Sequence, residues 1–219
     1  MPHRIAKFIT GFKRFQENYF CADPRLFGEL RTGQRPKVLM IACSDSRVDP
    51  AILTGCEPGD IFVVRNVGSL VPPYAPDAAY HGISAAIEYA IRKLEVEHAI
   101  VLGHSCCGGI HALLAGPDKE TEFIDQWMNI AAPAKARVDE ALAGAEPEIR
   151  AKACEEAAVL VSLENLLSFP WVRRRVDEGR LMLHGWYFDL GTGDLLGYLP
   201  QTGAFEPLVT QCEAAKPRG

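Results

Sequence analysis

Two short apolar runs, each followed by a potential metal-binding side chain, constrain the fold of this chain more than any other feature. Val38 to Ile41 is an unbroken apolar run that ends just before Cys43, and Ala99 to Leu102 ends just before His104. Runs of this length between turn residues are typical of buried strands. Because ligands bind beyond the carboxyl ends of strands in an α/β sheet, the sequence predicts that these two strand ends form one site.

The rest of the chain alternates between strand-like and helical patterns. Further strands are predicted at Asp60 to Arg65 and Leu181 to Asp189, with Asp194 to Leu199 as a hairpin partner of the latter. Helical patterns cover the segments 50–54, 77–94 with Asp77 as the cap, 107–115, 120–143 and 148–167. The sequence therefore predicts a single α/β domain with a mainly parallel central sheet, of about four parallel strands plus an antiparallel edge strand, flanked by helices.

The N-terminal segment predicts an amphipathic helix. Its apolar residues recur at helical spacing and are Ile5, Phe8, Ile9, Phe12, Phe15 and Tyr19. Such a helix packs on its own domain or on a second subunit, and the alternative is a transit peptide or a membrane-surface helix. Asp23-Pro24 then predicts a short capped helix to about Arg31. At the other end, the polar tail from Glu213 to Gly219 is expected to be irregular.

Composition narrows the classes of function. The net charge is −5 and 23% of the 219 residues are charged, which does not favour binding to nucleic acid or to an anionic membrane. No apolar run approaches the ~20 residues that span a bilayer, and no signal peptide is recognisable. The chain has seven cysteines, and an odd number in a chain of this size does not indicate a framework of disulfide bonds. We therefore expect a cytoplasmic protein whose cysteines are thiols, some of them metal ligands.

The two strand ends offer a zinc-binding set. Cys43, His104 and Cys107 form a Cys₂His group, although the spacing alone does not decide between Cys106 and Cys107. Three protein ligands with one open position are typical of catalytic zinc, and the fourth position would go to water or to Asp45. A lone cysteine or histidine at a strand end is more often structural, so the prediction depends on the combination.

Asp45 and Arg47 accompany this set. Their alternate spacing lets both side chains lie on one side of an extended segment, where a two-pronged hydrogen bond from the guanidinium would hold the carboxylate ionised. An ordinary ion pair on a loop is the alternative interpretation.

The two motifs together resemble those of the β-class carbonic anhydrases. The first motif, C-x-D-x-R, is Cys43 to Arg47, and the second, H-x-x-C-G-G, is His104 to Gly109. The likeness also covers Arg65 to Val67, Leu70 to Tyr74 and Ala85 to Ala90. The resemblance implies a Zn²⁺ cofactor bound by Cys43, His104 and Cys107, with Cys106 on the variable position of the second motif. It also implies that Asp45 and Arg47 are catalytic.

Within that family the chain resembles the plant-type group. The resemblance implies substrate contacts by Gln34, Phe62, Val67 and Tyr89. The other group has an inhibitory bicarbonate site that uses a tryptophan and a tyrosine, and this chain has Met40 and Phe188 at those places. We therefore expect an open site with water on zinc, and not Asp45.

The function implied by the resemblance is zinc-dependent, reversible hydration of carbon dioxide to bicarbonate and a proton by zinc-bound hydroxide. The alternatives are a carbon disulfide or carbonyl sulfide hydrolase on the same fold, and a non-catalytic zinc-binding regulatory protein. The family also implies a homodimer or higher homo-oligomer, in which the N-terminal helix wraps the partner. On this basis the whole chain is one domain, with a helical arm over about 3–32 and a catalytic core over about 36–200.

Overall fold

The computed structural model describes residues 3–210, and the chain divides along its sequence into two compact units between Arg35 and Pro36. In the first unit, α1 (His3–Phe15) continues into a π-helical turn at 16–20, and α2 spans Pro24–Leu30. Asp23 accepts a hydrogen bond from the backbone N–H of Leu26 over 2.9 Å, which confirms the predicted cap. The polar tail predicted at 213–219 lies outside the described residues.

The second unit contains the sheet and the remaining helices. The strands are β1 (Val38–Cys43), β2 (Ile61–Asn66), β3 (His98–His104), β4 (Met182–Phe188), β5 (Leu195–Leu199) and β6 (Ala204–Val209). The helices are α3 (Pro50–Thr54), α4 (Gly82–Glu88), α5 (Gly108–Ala115), α6 (Ile124–Met128), α7 (Ala132–Ala141), α8 (Pro147–Ser168) and α9 (Pro170–Asp177).

Within the described residues, six strands form one sheet in the order β2-β1-β3-β4-β5-β6. The first four are parallel, and β5 and β6 form an antiparallel edge. The predicted α/β class and the four parallel strands are therefore confirmed. The sequence did not predict β6, because Glu206 and Pro207 interrupt its apolar pattern.

Two helix predictions were wrong in their limits. Asp77 does not cap a helix, because α4 begins at Gly82 and the Asp77 carboxylate instead accepts from the N–H of Ala79 over 2.7 Å. The continuous helix predicted over 120–143 is divided into α6, a 3₁₀ turn and α7. Pro133 lies in the first turn of α7, where its missing N–H is tolerated, and it could not continue a helix from upstream.

The core lies on the sheet and under the long helix α8. Leu39 and Ile41 of β1 and Val101 of β3 are fully buried, and they belong to one cluster with Val159 of α8. Gly103 permits this packing, because a Cβ at that position would lie 2.5 Å from Cγ2 of Val159. The core therefore fixes β1 and β3 side by side, which places their carboxyl ends together. None of the helices in residues 3–210 combines the length and the apolar character needed to cross a membrane.

Candidate metal centre

Three candidate ligand residues converge at the carboxyl ends of β1 and β3. Cys43 is the last residue of β1 and His104 is the last residue of β3, and these strands pair in parallel. Cys107 follows directly before α5. One ligand atom from each residue lies within 4.8 Å of the other two, and the three residues are 5%, 1% and 3% exposed. By contrast, Cys106 is exposed and is not part of this group.

The two nitrogens of the His104 imidazole have different surroundings. Its Nδ1 lies 2.9 Å from the carbonyl oxygen of Ser105, which only accepts hydrogen bonds, so Nδ1 is the donor. The opposite nitrogen, Nε2, is buried and has no hydrogen-bond partner in the described part of the chain. Buried polar atoms are rarely left unpaired, and a neutral imidazole presents its free lone pair to a metal. Two sulfurs and this nitrogen fit zinc.

The thiol of Cys43 is placed among hydrogen-bond donors. The Cys107 thiol holds the pKa of Cys43 well below its ordinary value against the opposing effect of burial. The backbone N–H of Asp45 also donates to Sγ of Cys43 over 3.4 Å. The contact with Cys43 raises the pKa of the Cys107 thiol, so Cys43 is the member of this adjacent pair that loses its proton first.

Asp45 and Arg47 form a two-pronged ion pair beside the ligand residues. Nε of Arg47 donates to Oδ1 of Asp45 over 2.9 Å and Nη2 donates to Oδ2 over 2.7 Å, so the hydrogen bond expected from their spacing is present. These contacts hold the pKa of the Asp45 carboxyl far below its usual range. Nη2 also donates to the carbonyl oxygen of Cys106 over 3.0 Å, which connects the first motif to the second.

Arg65 clamps the backbone of the first motif. From β2, its Nε donates to the carbonyl oxygen of Cys43 over 2.8 Å, and its Nη2 donates to that of Asp45 over 2.7 Å. Nη1 donates to the carboxylate of Asp49, the residue that caps α3, over 2.8 Å. One guanidinium therefore fixes the backbone on both sides of Ser44.

The predicted apolar substrate residues occupy two places in the second unit. The rings of Phe62 and Tyr89 lie 5.9 Å apart between centroids, and Tyr89 is 47% exposed. Val67 lies on the loop after β2, where its carbonyl oxygen accepts a hydrogen bond from Nε1 of Trp127 over 2.7 Å. Gln34 belongs to the first unit and is exposed between α2 and β1, so its contact with substrate remains a prediction.

Gly109 brings the second motif against the loop after β2. A Cβ at Gly109 would lie 2.9 Å from Cγ1 of Val67 and 3.0 Å from Sδ of Met128, so only glycine fits without movement. At Gly108 a Cβ would meet nothing within 4 Å. Close packing therefore explains the second of these glycines but not the first.

Comparisons with known proteins agree with this geometry. A family model described as carbonic anhydrase matches residues 38–195. β carbonic anhydrase 3 of Arabidopsis thaliana is 42% identical over 198 residues, which cover 87% of this chain and 76% of the relative. Among solved structures, the β-carbonic anhydrase CcaA superposes with a TM-score of 0.87 at 35% identity, covering 93% of this chain and 99% of the other.

This chain belongs to the β-class carbonic anhydrases. Another solved structure, from a study of two tetrameric β-carbonic anhydrases of the ascomycete Sordaria macrospora, matches with a TM-score of 0.77 at 28% identity, covering 94% of this chain and 96% of the other. The predicted family and the predicted enzyme type are confirmed, and membership supports carbon dioxide hydration as the activity. The sulfur-substrate and non-catalytic alternatives are not favoured.

Sequence reasoning missed a buried carboxyl group beside this β-carbonic anhydrase centre. Glu155 of α8 is 4% exposed, and its Oε1 accepts a hydrogen bond from the backbone N–H of Cys107 over 2.9 Å. A signal was present, because Glu155 lies three and seven residues before the buried Ala158 and Ser162, on the helix face that meets the core. A carboxylate on such a face is exceptional and indicates a specific partner.

Proposed function

We propose that this β-carbonic anhydrase is a zinc-dependent lyase that hydrates carbon dioxide reversibly to bicarbonate and a proton. The observation that carries the proposal is the buried group of two thiols and one imidazole whose Nε2 has no partner among the described residues. We assign Cys43, His104 and Cys107 as the zinc ligands. Three protein ligands leave one position open, which is typical of catalytic rather than structural zinc.

The chain's own residues then prepare the reaction. Zinc bound to this group would supply the Lewis acidity that makes water a nucleophile at neutral pH. We assign Asp45 to accept a hydrogen bond from that nucleophile and to orient it towards carbon. This role requires an ionised carboxylate, and the two hydrogen bonds from Arg47 favour that form. Arg47 thus acts through Asp45 and also fixes it against the second motif through the carbonyl of Cys106.

We assign Phe62, Val67, Tyr89 and Gln34 to the substrate. Carbon dioxide is uncharged and linear, and apolar side chains accept it without loss of hydrogen bonds. The adjacent rings of Phe62 and Tyr89 support an apolar wall, and the amide of Gln34 is able to donate to a substrate oxygen. The exposure of Tyr89 and Val67 is consistent with residues that face a ligand.

We infer that Asp45 stays off the metal, as in the plant-type group. Both of its carboxylate oxygens already accept hydrogen bonds from Arg47. To coordinate zinc, Asp45 would have to lose at least one of these charge-assisted bonds. This arrangement supports water in the open position across neutral pH.

We also propose that the enzyme is a homodimer or a higher homo-oligomer. The N-terminal helix α1 exposes large apolar side chains, with Phe8 at 67% and Phe12 at 60%. A contiguous apolar face of this kind marks an interaction surface, and a second copy of the chain is the partner that the family suggests. Sedimentation equilibrium of the wild type and of a Phe8→Ser, Phe12→Ser variant tests this, and we expect the variant to dissociate.

Stopped-flow hydration of carbon dioxide, on protein of measured zinc content, tests the proposed activity between about pH 6.5 and 9. We expect activity that increases with pH and is lost in Cys43→Ser together with the zinc. Cys56→Ser is the matched control, because Cys56 is half-buried and outside the ligand group. Zinc-loaded wild-type protein without activity at any pH would refute the assignment.

A further inference from the structure

A carboxyl group is buried on the α8 side of the second motif. Glu155 is only 4% exposed and lies on a helix face whose other buried residues are mostly apolar. Burial raises the pKa of this carboxyl. Placing such a group in a core costs free energy unless hydrogen bonds compensate for the lost water. Glu155 therefore needs specific partners, and the structure shows which they are.

Both carboxylate oxygens of Glu155 are occupied as hydrogen-bond acceptors. Oε1 accepts from the backbone N–H of Cys107 over 2.9 Å, and Oε2 accepts from the hydroxyl of Tyr187 over 2.7 Å. Tyr187 lies on β4 and is fully buried. This chain of three groups therefore connects the ligand segment to α8 and the sheet. A buried network with every member satisfied gives one rigid arrangement.

The backbone at Cys107 needs an external restraint. The preceding residue, Cys106, has a φ of +56°, a left-handed conformation that is uncommon for a residue other than glycine. Such a conformation persists only where the surroundings enforce it. Cys107 then directly precedes α5, and its own side chain makes no capping hydrogen bond, so its sulfur is free to face Cys43 and His104. Glu155 restrains this turn through the hydrogen bond that it accepts from the backbone N–H of Cys107.

We propose that Glu155 is a positioning residue for the zinc ligand Cys107, and that Tyr187 in turn orients Glu155. Neither residue belongs to the ligand group, so both act through the peptide between Cys106 and Cys107. This inference rests on the proposed zinc function. Partners of this kind, one step removed from a metal, typically change its affinity by 10- to 100-fold.

Zinc affinity, measured by competition with a chromophoric chelator, tests the proposal. For Glu155→Leu, which removes both hydrogen bonds, we expect the dissociation constant of zinc to increase about 10- to 100-fold. Glu155→Gln keeps an acceptor for the N–H of Cys107 but cannot accept a second hydrogen bond from Tyr187 through its amide nitrogen. We therefore expect a smaller increase for Glu155→Gln and for Tyr187→Phe.

The matched control is Glu156→Gln, which removes the same charge one residue along α8. Glu156 is half-buried and has no hydrogen bond to the second motif among those described, so we expect its zinc affinity to be unchanged. The absorption spectrum of the cobalt-substituted protein reports the geometry of the metal site and does not depend on the overall stability of the fold. We expect the thiolate-to-cobalt charge-transfer band to shift in both Glu155 variants and to stay constant in Glu156→Gln.

The outcomes separate this inference from the proposed function. Wild-type protein that binds no zinc would refute the proposed function itself. If the wild type binds zinc, and Glu155→Gln and Tyr187→Phe both match its affinity and its cobalt spectrum, the positioning role is wrong. These two conservative variants keep the test decisive if Glu155→Leu does not fold.

Discussion

The guanidinium of Arg47 grips both oxygens of the Asp45 carboxylate, over 2.9 Å from Nε and 2.7 Å from Nη2. The planar fork of arginine matches a carboxylate in this way, whereas an ammonium group is a single point charge. Because Nη2 also reaches the carbonyl oxygen of Cys106 over 3.0 Å, the orientation of Asp45 is tied to the second motif. The proposed catalytic role of Asp45 therefore depends on the geometry of the Arg47 side chain.

Arg47→Lys keeps the charge but loses the fork. We expect kcat for carbon dioxide hydration to decrease about 10- to 100-fold, because Asp45 is no longer oriented. Zinc content, measured in the same samples, should remain that of the wild type. Arg137→Lys is the control, since Arg137 also grips a carboxylate with two hydrogen bonds, that of Glu164, on the exposed surface of α7 and α8. Equal activity in both variants would contradict the orienting role.

Removal of the metal should destabilise the fold. The three proposed ligand atoms come together only in the folded chain, so zinc bound to them would add to the free energy of unfolding. At a free zinc concentration of about 1,000 times Kd, this contribution is about 4 kcal/mol. We expect a chelator to lower the melting temperature of the wild type, measured by calorimetry, and to leave that of Cys43→Ser unchanged. If the chelator did not change the melting temperature of the wild type, zinc would not contribute to the stability of the fold.

Gly103→Ala should destabilise the sheet beside the metal centre. The added Cβ would lie 2.5 Å from Cγ2 of Val159, so β3 and α8 must move apart. Overpacking of this kind typically costs about 1–3 kcal/mol. Gly144→Ala is the control, because a Cβ there meets nothing within 4 Å. Urea unfolding measures the difference in free energy of unfolding between the two variants. Equal stabilities would show that α8 moves away from β3 without loss of stability.

The paired histidines of β3 and β4 should make stability depend on pH. Nδ1 of His98 lies 3.0 Å from Nε2 of His184, and burial, followed by the charge of His98, lowers the pKa of His184 below its ordinary value of 6.5. The unfolded chain therefore binds this proton at a higher pH than the folded chain does. The contribution to stability is complete above pH 6.5 and is lost as the pH falls from 6.5 through the lowered pKa.

Urea unfolding of the wild type and of His184→Gln between about pH 5 and 8 tests this dependence. We expect the wild type to lose more stability than the variant as the pH falls. Above about pH 8, where the His184 imidazole is neutral in the folded and in the unfolded chain, the difference between the two proteins should no longer change with pH. If the free energy of unfolding of the two proteins changed in parallel over the whole pH range, His184 would not contribute to the pH dependence of stability.

The sequence predicted that Cys43 and His104 lie together, because their positions follow from strand ends and strand ends follow from apolar runs. The choice of Cys107 over Cys106 came from the family resemblance, because spacing alone left it open. The sequence also predicted the pairing of Asp45 with Arg47, which depends only on local spacing. It did not find Glu155, whose partner is 48 residues away along the chain. Contacts between distant segments also explain why β6 was not predicted, since pairing with β5 stabilises this strand despite its irregular apolar pattern. The start of α4 was predicted too early, because Asp77 has the sequence signature of a helix cap but α4 begins at Gly82.

The hydrogen bonds that join Cys107 to Glu155 and Tyr187 have a consequence for biosynthesis. The three proposed ligand residues have all been translated once residue 107 is in the chain, yet the hydrogen bonds proposed to orient Cys107 are complete only when Tyr187 has been added. A nascent chain that ends before β4 thus carries a complete set of donor atoms without the supporting framework. We expect stable metal loading to begin only after most of the polypeptide has left the ribosome.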